Sequence, residues 1–266
     1  RHIITSRIEH HAVLRVCETL EAQDVEVTIL PVDSKGLVSP DSLQRALRPD
    51  TVLVSIMTAN NEVGTVQPIR ELGALCRKQG ILFHTDAVQA AGKIPLDVRD
   101  MPVDLMSLSA HKIYGPKGIG ALYVRRGVHL KPLMQGGGQE RGLRPGTHNV
   151  PGAAGFGEAC RIAGELLSSE TQRLKRLGNQ LITGLKETCP DLIFHGHPDR
   201  MLPGFVSFSP LYVQGDSLLS ALDLAGIQVS AGSACTTGHE EPSHVLTAMG
   251  LEPLRLTKAE YVAAGA

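Results

Sequence analysis

Through about residue 125 the chain alternates short β-branched runs with amphipathic stretches, and nothing else in it narrows the fold so far. Strands are expected at Ile3–Thr5, Val25–Leu30, Thr51–Met57, Ile81–His84, Leu105–Leu108 and Ile119–Val124. Between them lie helical patterns over Ala12–Ala22, Pro40–Leu47 and Ile69–Gln79. Ser39 is placed to cap the second, Pro40 suits its first turn, and Gly80 stops the third. Strands that alternate with helices imply an α/β fold with a mainly parallel sheet. Such sheets carry their chemistry on loops beyond the carboxyl ends of the strands.

A glycine-rich stretch, GGGQERGLRPGTHNVPGAAGFG from Gly136 to Gly157, interrupts this periodicity. A long helix is expected from Phe156 to Thr188, with leucines at 166, 174, 177, 181 and 185. Strands follow at Leu192–Phe194 and Phe205–Phe208, then a helix over Ser217–Ala225 and a strand over Ile227–Ser230. A domain boundary near residue 150 separates a large domain, 1–150, from a smaller C-terminal α+β domain, 151–266. Residue 1 is Arg and runs straight into a strand, and the sequence stops at Ala266 without a closing element. Both domains are therefore expected to be incomplete, as a piece of a longer chain.

Composition removes several classes of function. With 26 Lys+Arg against 27 Asp+Glu, the net charge of −1 gives no global attraction to nucleic acid or to an anionic membrane. Five Phe, four Tyr and no Trp leave little material for stacking on bases or sugars. No apolar run approaches the ~20 residues of a membrane span. The five cysteines form no C-x-x-C pair and are odd in number, which argues against a disulfide framework and a structural zinc. A reducing cytoplasm fits best. His195 and His197 lack cysteine or carboxylate partners at ligand spacing, and Gly136-Gly137-Gly138 is not followed by the Gly-Lys-Ser/Thr of a phosphate-binding loop.

The densest polar groups are His84-Thr85-Asp86-Ala87-Val88-Gln89 and Ser107-Leu108-Ser109-Ala110-His111-Lys112-Ile113-Tyr114-Gly115. Each follows an apolar run, so each should emerge at a strand end. An Asp, a Gln, a Ser, a His and a Lys on neighbouring strand ends suit a pyridoxal phosphate site. Its aldehyde needs a lysine, its ring nitrogen a carboxylate, and its phosphate hydroxyl and imidazole donors. Taken singly, Asp86 reads as a helix cap, Ser109 as a turn hydroxyl, His10 as a cap and Asn61 as an Asx turn before Gly64. Cys235 lies among small residues in Ser230-Ala231-Gly232-Ser233-Ala234-Cys235-Thr236-Thr237-Gly238. A structural cysteine would want apolar neighbours there, whereas a nucleophile needs access and thiolate character.

The string SAHKIYGPKGIGALYVRR resembles the lysine segment of the cysteine desulfurases, class-V aminotransferase-like enzymes of pyridoxal-phosphate fold type I. TSRIEHHAVL, VSIMTANNEVGTVQPI, FHTDAVQAAGKIPLDV, the glycine-rich stretch and VSAGSACTTGHEEPSHVLTAMGL extend the likeness from residue 1 to about 251. The resemblance implies that Lys112, rather than Lys117, carries the cofactor as a Schiff base. It also implies that Asp86 pairs with the ring nitrogen, Gln89 with the ring hydroxyl, and Ser109 and His111 with the phosphate. His10 would lie on the ring and handle protons, Asn61 would stand at the cofactor edge, and Thr147 would reach a neighbouring subunit's phosphate in a homodimer. Cys235 would take the sulfur of L-cysteine as a persulfide and pass it to an acceptor such as an iron–sulfur scaffold. The implied reaction is L-cysteine to L-alanine.

Two family features are missing from the sequence. Members begin well before this one, with a turn that adds phosphate contacts, and continue past it to an arginine that clamps the substrate carboxylate. Arg255 stands too close to Cys235, and in the wrong context, to be assigned that role. A selenocysteine lyase and a truncated, non-catalytic domain remain open as alternatives.

Overall fold

The computed structural model describes residues 1–211, 213, 215–230 and 243–251. Its centre is a six-stranded sheet in the order β2-β1-β3-β4-β5-β6. The strands are β1 (His2–Ser6), β2 (Glu26–Leu30), β3 (Thr51–Ser55), β4 (Leu82–Asp86), β5 (Leu105–Ser109) and β6 (Gly120–Val124). All neighbours are parallel except β5 and β6, which pair antiparallel from Leu105↔Val124 to Ser109↔Gly120. Helices α1 (His11–Glu21), α2 (Pro40–Ala46) and α3 (Ile69–Lys78) make the crossovers. The expected α/β fold with a mainly parallel sheet is therefore present.

The core explains this arrangement. Phe83, Ile4, Val54 and Ile56 are fully buried, and α3 presents Ile69, Leu72, Gly73 and Cys76 to them. Those four positions follow the i, i+3, i+4, i+7 spacing of one helix face. Each fully buried Leu, Ile or Phe contributes about 1.5–3 kcal/mol relative to an exposed one. Gly73 is required by contact, since a Cβ there would meet the carbonyl oxygen of Pro102 at 2.5 Å.

Beyond the sheet, α4 runs from Val150 to Thr188, a two-stranded sheet pairs β7 (Leu192–Phe194) with β8 (Phe208–Pro210), and α5 (Gly215–Leu224) and α6 (His244–Ala248) follow. Three expectations are corrected. The long helix starts at Val150 rather than Phe156, because Asn149 caps it by accepting from the Gly152 amide at 3.0 Å. Its glycines mark close packing: a Cβ on Gly155 would meet Pro116 Cγ at 2.6 Å. Phe205 to Ser207 precede the strand that begins at Phe208, and Ile227–Ser230 forms no strand.

Candidate active site

The order of the sheet reverses at β1, whose neighbours β2 and β3 both follow it in sequence. Such a reversal opens a crevice at the carboxyl ends of the strands, the usual ligand position in an α/β sheet. His10 follows β1 there, Asp86 ends β4, Ser109 ends β5, and His111 and Lys112 follow on a 3₁₀ helix, Ala110–Ile113.

The local chain explains each position. His10 caps α1, its Nδ1 accepting from the Ala12 amide at 3.1 Å, so a neutral ring carries its proton on Nε2. Burial lowers the pKa of His10, while the Asp86 carboxylate opposes that shift and Lys112 adds to it. His10, Asp86 and Lys112 thus share one electrostatic neighbourhood. Asp86 is half-buried and uses Oδ1 to accept from the Val88 amide at 2.9 Å. Two residues earlier on the same strand face, His84 bridges Ser55 Oγ at 2.7 Å and Ser107 Oγ at 2.9 Å. This bridge crosses three strands directly behind the carboxylate. The Lys112 segment ends at Tyr114 with φ of 61°, a left-handed turn that leaves the Tyr114 ring 90% exposed.

Half-buried Ser109 and exposed His111 are hydrogen-bonded to each other, Oγ to Nδ1, at 2.8 Å. Gln89, in the turn after β4, receives the Lys93 ammonium on its carbonyl oxygen at 3.0 Å, with Oε1 at 3.5 Å. Asn61 is half-buried, and the Asx turn expected of it belongs to Asn60 instead. Asn60 Oδ1 accepts from the Glu62 and Val63 amides at 2.8 and 2.9 Å, and its amide donates to Ile8 O at 2.9 Å. Thr147 is exposed before α4, and among the described residues no hydrogen bond joins it to the strand-end groups. Cys235 and Arg255 lie outside the described residues.

Sequence reasoning overlooked Lys93, Asn60, His84 and Glu9. Glu9 is fully buried beside His10, with Oε1 accepting from Ser6 Oγ at 2.5 Å and the Met57 amide at 3.0 Å. Among the described residues its Oε2 has no hydrogen-bond partner, and burial pushes its pKa up to about 8. For His84 a signal existed, because its spacing of two from Asp86 puts both on one strand face. Among the described residues, no group of three or more His, Cys, Asp or Glu could hold a metal, and no helix is long and apolar enough to cross a membrane.

Comparison with known proteins places the chain in a family. The aminotransferase class-V family model matches residues 1–259. A cysteine desulfurase IscS of Methanosarcina thermophila is 52% identical over 251 residues, which are 94% of this chain and 62% of that protein. The chain thus spans less than two thirds of that curated relative's length. Among solved structures, a NifS-like protein superposes with a TM-score of 0.89 at 41% identity, covering 99% of this chain and 68% of that one. SspA, solved in complex with cysteine, gives a TM-score of 0.80 at 37% identity, covering 98% of this chain and 72% of that one. On fold and on sequence alike, this chain belongs to the aminotransferase class-V family, with cysteine desulfurases among its similar relatives.

Proposed function

We propose that the chain carries the catalytic centre of a pyridoxal-phosphate-dependent cysteine desulfurase. The convergence of His10, Asp86 and Lys112 at the carboxyl edge of the sheet carries this reading. The class-V family implies the cofactor, and the residues present fit it. Asp86 spends one oxygen on the Val88 amide and keeps the other as an acceptor for a protonated ring nitrogen. Ser109 and His111 set a hydroxyl and an imidazole side by side, the chemistry a phosphate needs.

When bound, pyridoxal phosphate supplies an aldehyde for a lysine and a ring that accepts the electron pair left at the substrate α-carbon. Lys112 would hold that aldehyde, and its Nζ, freed when the amine of L-cysteine displaces it, would be the base for the α-proton. Asp86 would keep the ring nitrogen protonated. His10 would cover the ring and could move a proton through Nε2, since Nδ1 is committed to the helix cap. Gln89 would donate to the ring hydroxyl, and Asn61 would line the cofactor edge. The Cys235 thiolate attacks the substrate sulfur: an S–S bond forms, the C–S bond breaks, and L-alanine leaves after reprotonation. The persulfide passes to a sulfur-acceptor protein, such as an iron–sulfur scaffold.

On this reading residues 1–150 form the large domain and 151–266 the small domain that carries Cys235, in a cytoplasmic homodimer. Thr147 reaches the phosphate of the neighbouring subunit. The apolar side chain of Val150, three residues on and 66% exposed, supports a second copy there.

Borohydride reduction of the cofactor-loaded chain tests the reading. Lys112→Ala is expected to lose all covalently fixed cofactor, and Lys117→Ala to keep it. Fixation at another lysine in the Lys112 variant would overturn the assignment. In the full-length protein, Cys235→Ser should bind cysteine yet release no sulfide under reductant, and normal release would place the nucleophile elsewhere.

A further inference from the structure

Lys93 is a half-buried cation with no task in the reaction as derived. It ends the turn after β4, where the Ala90 and Ala91 amides donate to Ala87 O and the Lys93 and Ile94 amides donate to Ala90 O. Gly92 holds φ at +71°, and a Cβ there would meet Ile113 Cγ2 at 2.9 Å, so the turn lies against the Lys112 segment. From the other side, Thr171 Oγ1 of α4 donates to Lys93 O at 3.0 Å. The Lys93 backbone is therefore fixed between β4, α4 and the 3₁₀ helix of Lys112.

Its side chain is directed as firmly. Nζ donates to Gln89 O at 3.0 Å and stands 3.5 Å from Gln89 Oε1. Burial, together with the ammonium of Lys112, pushes its pKa down to about 8. A lysine is rarely buried without polar partners, and both partners here belong to Gln89. An ammonium offers donors only, so the Gln89 amide must turn its oxygen toward Lys93 and its NH2 group away.

We propose that Lys93 is a positioning residue that sets the end-to-end sense of the Gln89 amide, presenting its NH2 as the donor to the ring oxygen of the bound cofactor. The inference rests on the reading of Gln89 as the ring-hydroxyl partner. Without Lys93 the amide is free to turn over, and its carbonyl would then face an oxygen that carries negative charge.

The test loads the chain with pyridoxal phosphate and compares wild type, Lys93→Met, Gln89→Ala and the double variant. Its readouts are the visible absorption band of the bound cofactor and the cofactor Kd. Each single variant is expected to move the band in the same direction and to raise Kd about fivefold, the effect of one lost hydrogen bond. The double variant should match Gln89→Ala alone, because both changes remove the same contact. Lys93→Arg keeps a cationic donor and should restore the wild-type band, which guards against a folding defect in the Met variant. An unmoved band in Lys93→Met with only a lower melting point of the cofactor-free chain overturns the proposal, as do additive effects in the double variant. If Gln89→Ala leaves the band of bound cofactor unmoved, the role of Gln89 fails and the proposal with it. Failure of the wild type to take up cofactor would instead sink the catalytic reading beneath both.

Discussion

At the amino edge of the six-stranded sheet, His2 joins Thr51 Oγ1 at 2.8 Å to Thr28 Oγ1 at 2.7 Å. Arg48 is held there by Glu26 and Asp50, and Asp104 by Arg125. Toward the carboxyl edge, His84 joins Ser55 to Ser107 by the same device. Among the described residues, however, no ion pair engages Asp86, Lys112 or Glu9 there. Both regions are polar and both use a histidine to tie three strands. They differ in whether charge is already matched within the fold. Matched charge holds the sheet together, and unmatched charge is what a ligand can use.

The sharpest way to break this comparison is to exchange the roles of its two edges. Asp86→Ala is expected to raise the Kd for pyridoxal phosphate by on the order of a hundredfold, the loss of a hydrogen bond between charged groups. The melting point of the cofactor-free chain should fall only modestly, by the loss of the Val88 amide's acceptor. An equal fall in melting point would make Asp86 a structural residue like those of the amino edge.

Glu9 sharpens the comparison through pH. Its folded-state pKa, about 8, lies above its ordinary value of 4.5 because burial disfavours the charged form. Between those values the folded chain holds more protons than the unfolded one, so its stability falls as pH rises. Glu9→Gln imitates the protonated acid and removes that titration. Measured by denaturant unfolding, wild type should lose stability relative to Glu9→Gln by roughly 1.4 kcal/mol per pH unit between about 5 and 7. Parallel pH profiles would show that Glu9 is ionised in the fold.

Arg125→Ala makes the converse change at the amino edge. Asp104 is buried, accepting from the Phe83 amide through Oδ2 at 2.8 Å and from Arg125 Nε through Oδ1 at 2.5 Å. Because Arg125 is 46% exposed, water replaces part of what is lost, and the expected cost is about 2 kcal/mol of stability. The cofactor Kd should not move. A weaker cofactor would show that the two edges communicate through β5.

Much of this was legible in the residues. Alternating β-branched runs located the six sheet strands to within a few positions, because strand residues declare themselves by local pattern. The carboxyl-edge groups were legible for the same reason: Asp86 and Ser109 close apolar runs, and Lys112 follows. What escaped depends on contacts between segments distant in sequence. The glycines at 152, 155 and 157 read as helix breakers, yet Gly155 lies within α4 where Pro116 leaves no room for a Cβ. Asn60 and Asn61 are adjacent and identical in type, and only the position of Ile8, 52 residues away, decides which one is structural. Likewise, Lys93 looks like any surface lysine until α4 and the Lys112 segment close over its turn.

The reversal of strand order at β1 also has a meaning in time. Strands β2, β1 and β3 lie side by side, and β4, β5 and β6 follow in sequence order on the β3 side. A chain emerging from the ribosome can therefore bring His10 and Asp86 together before Lys112 has emerged. At about 5–20 residues per second, the stretch from Asp86 to Lys112 takes on the order of seconds. Throughout that interval β4 is a naked edge, open to strands of other nascent chains. Pairing of β5 then covers that edge and leads directly into the Lys112 segment, so on the proposed reading the anchoring lysine reaches the site only once β4 has a neighbour.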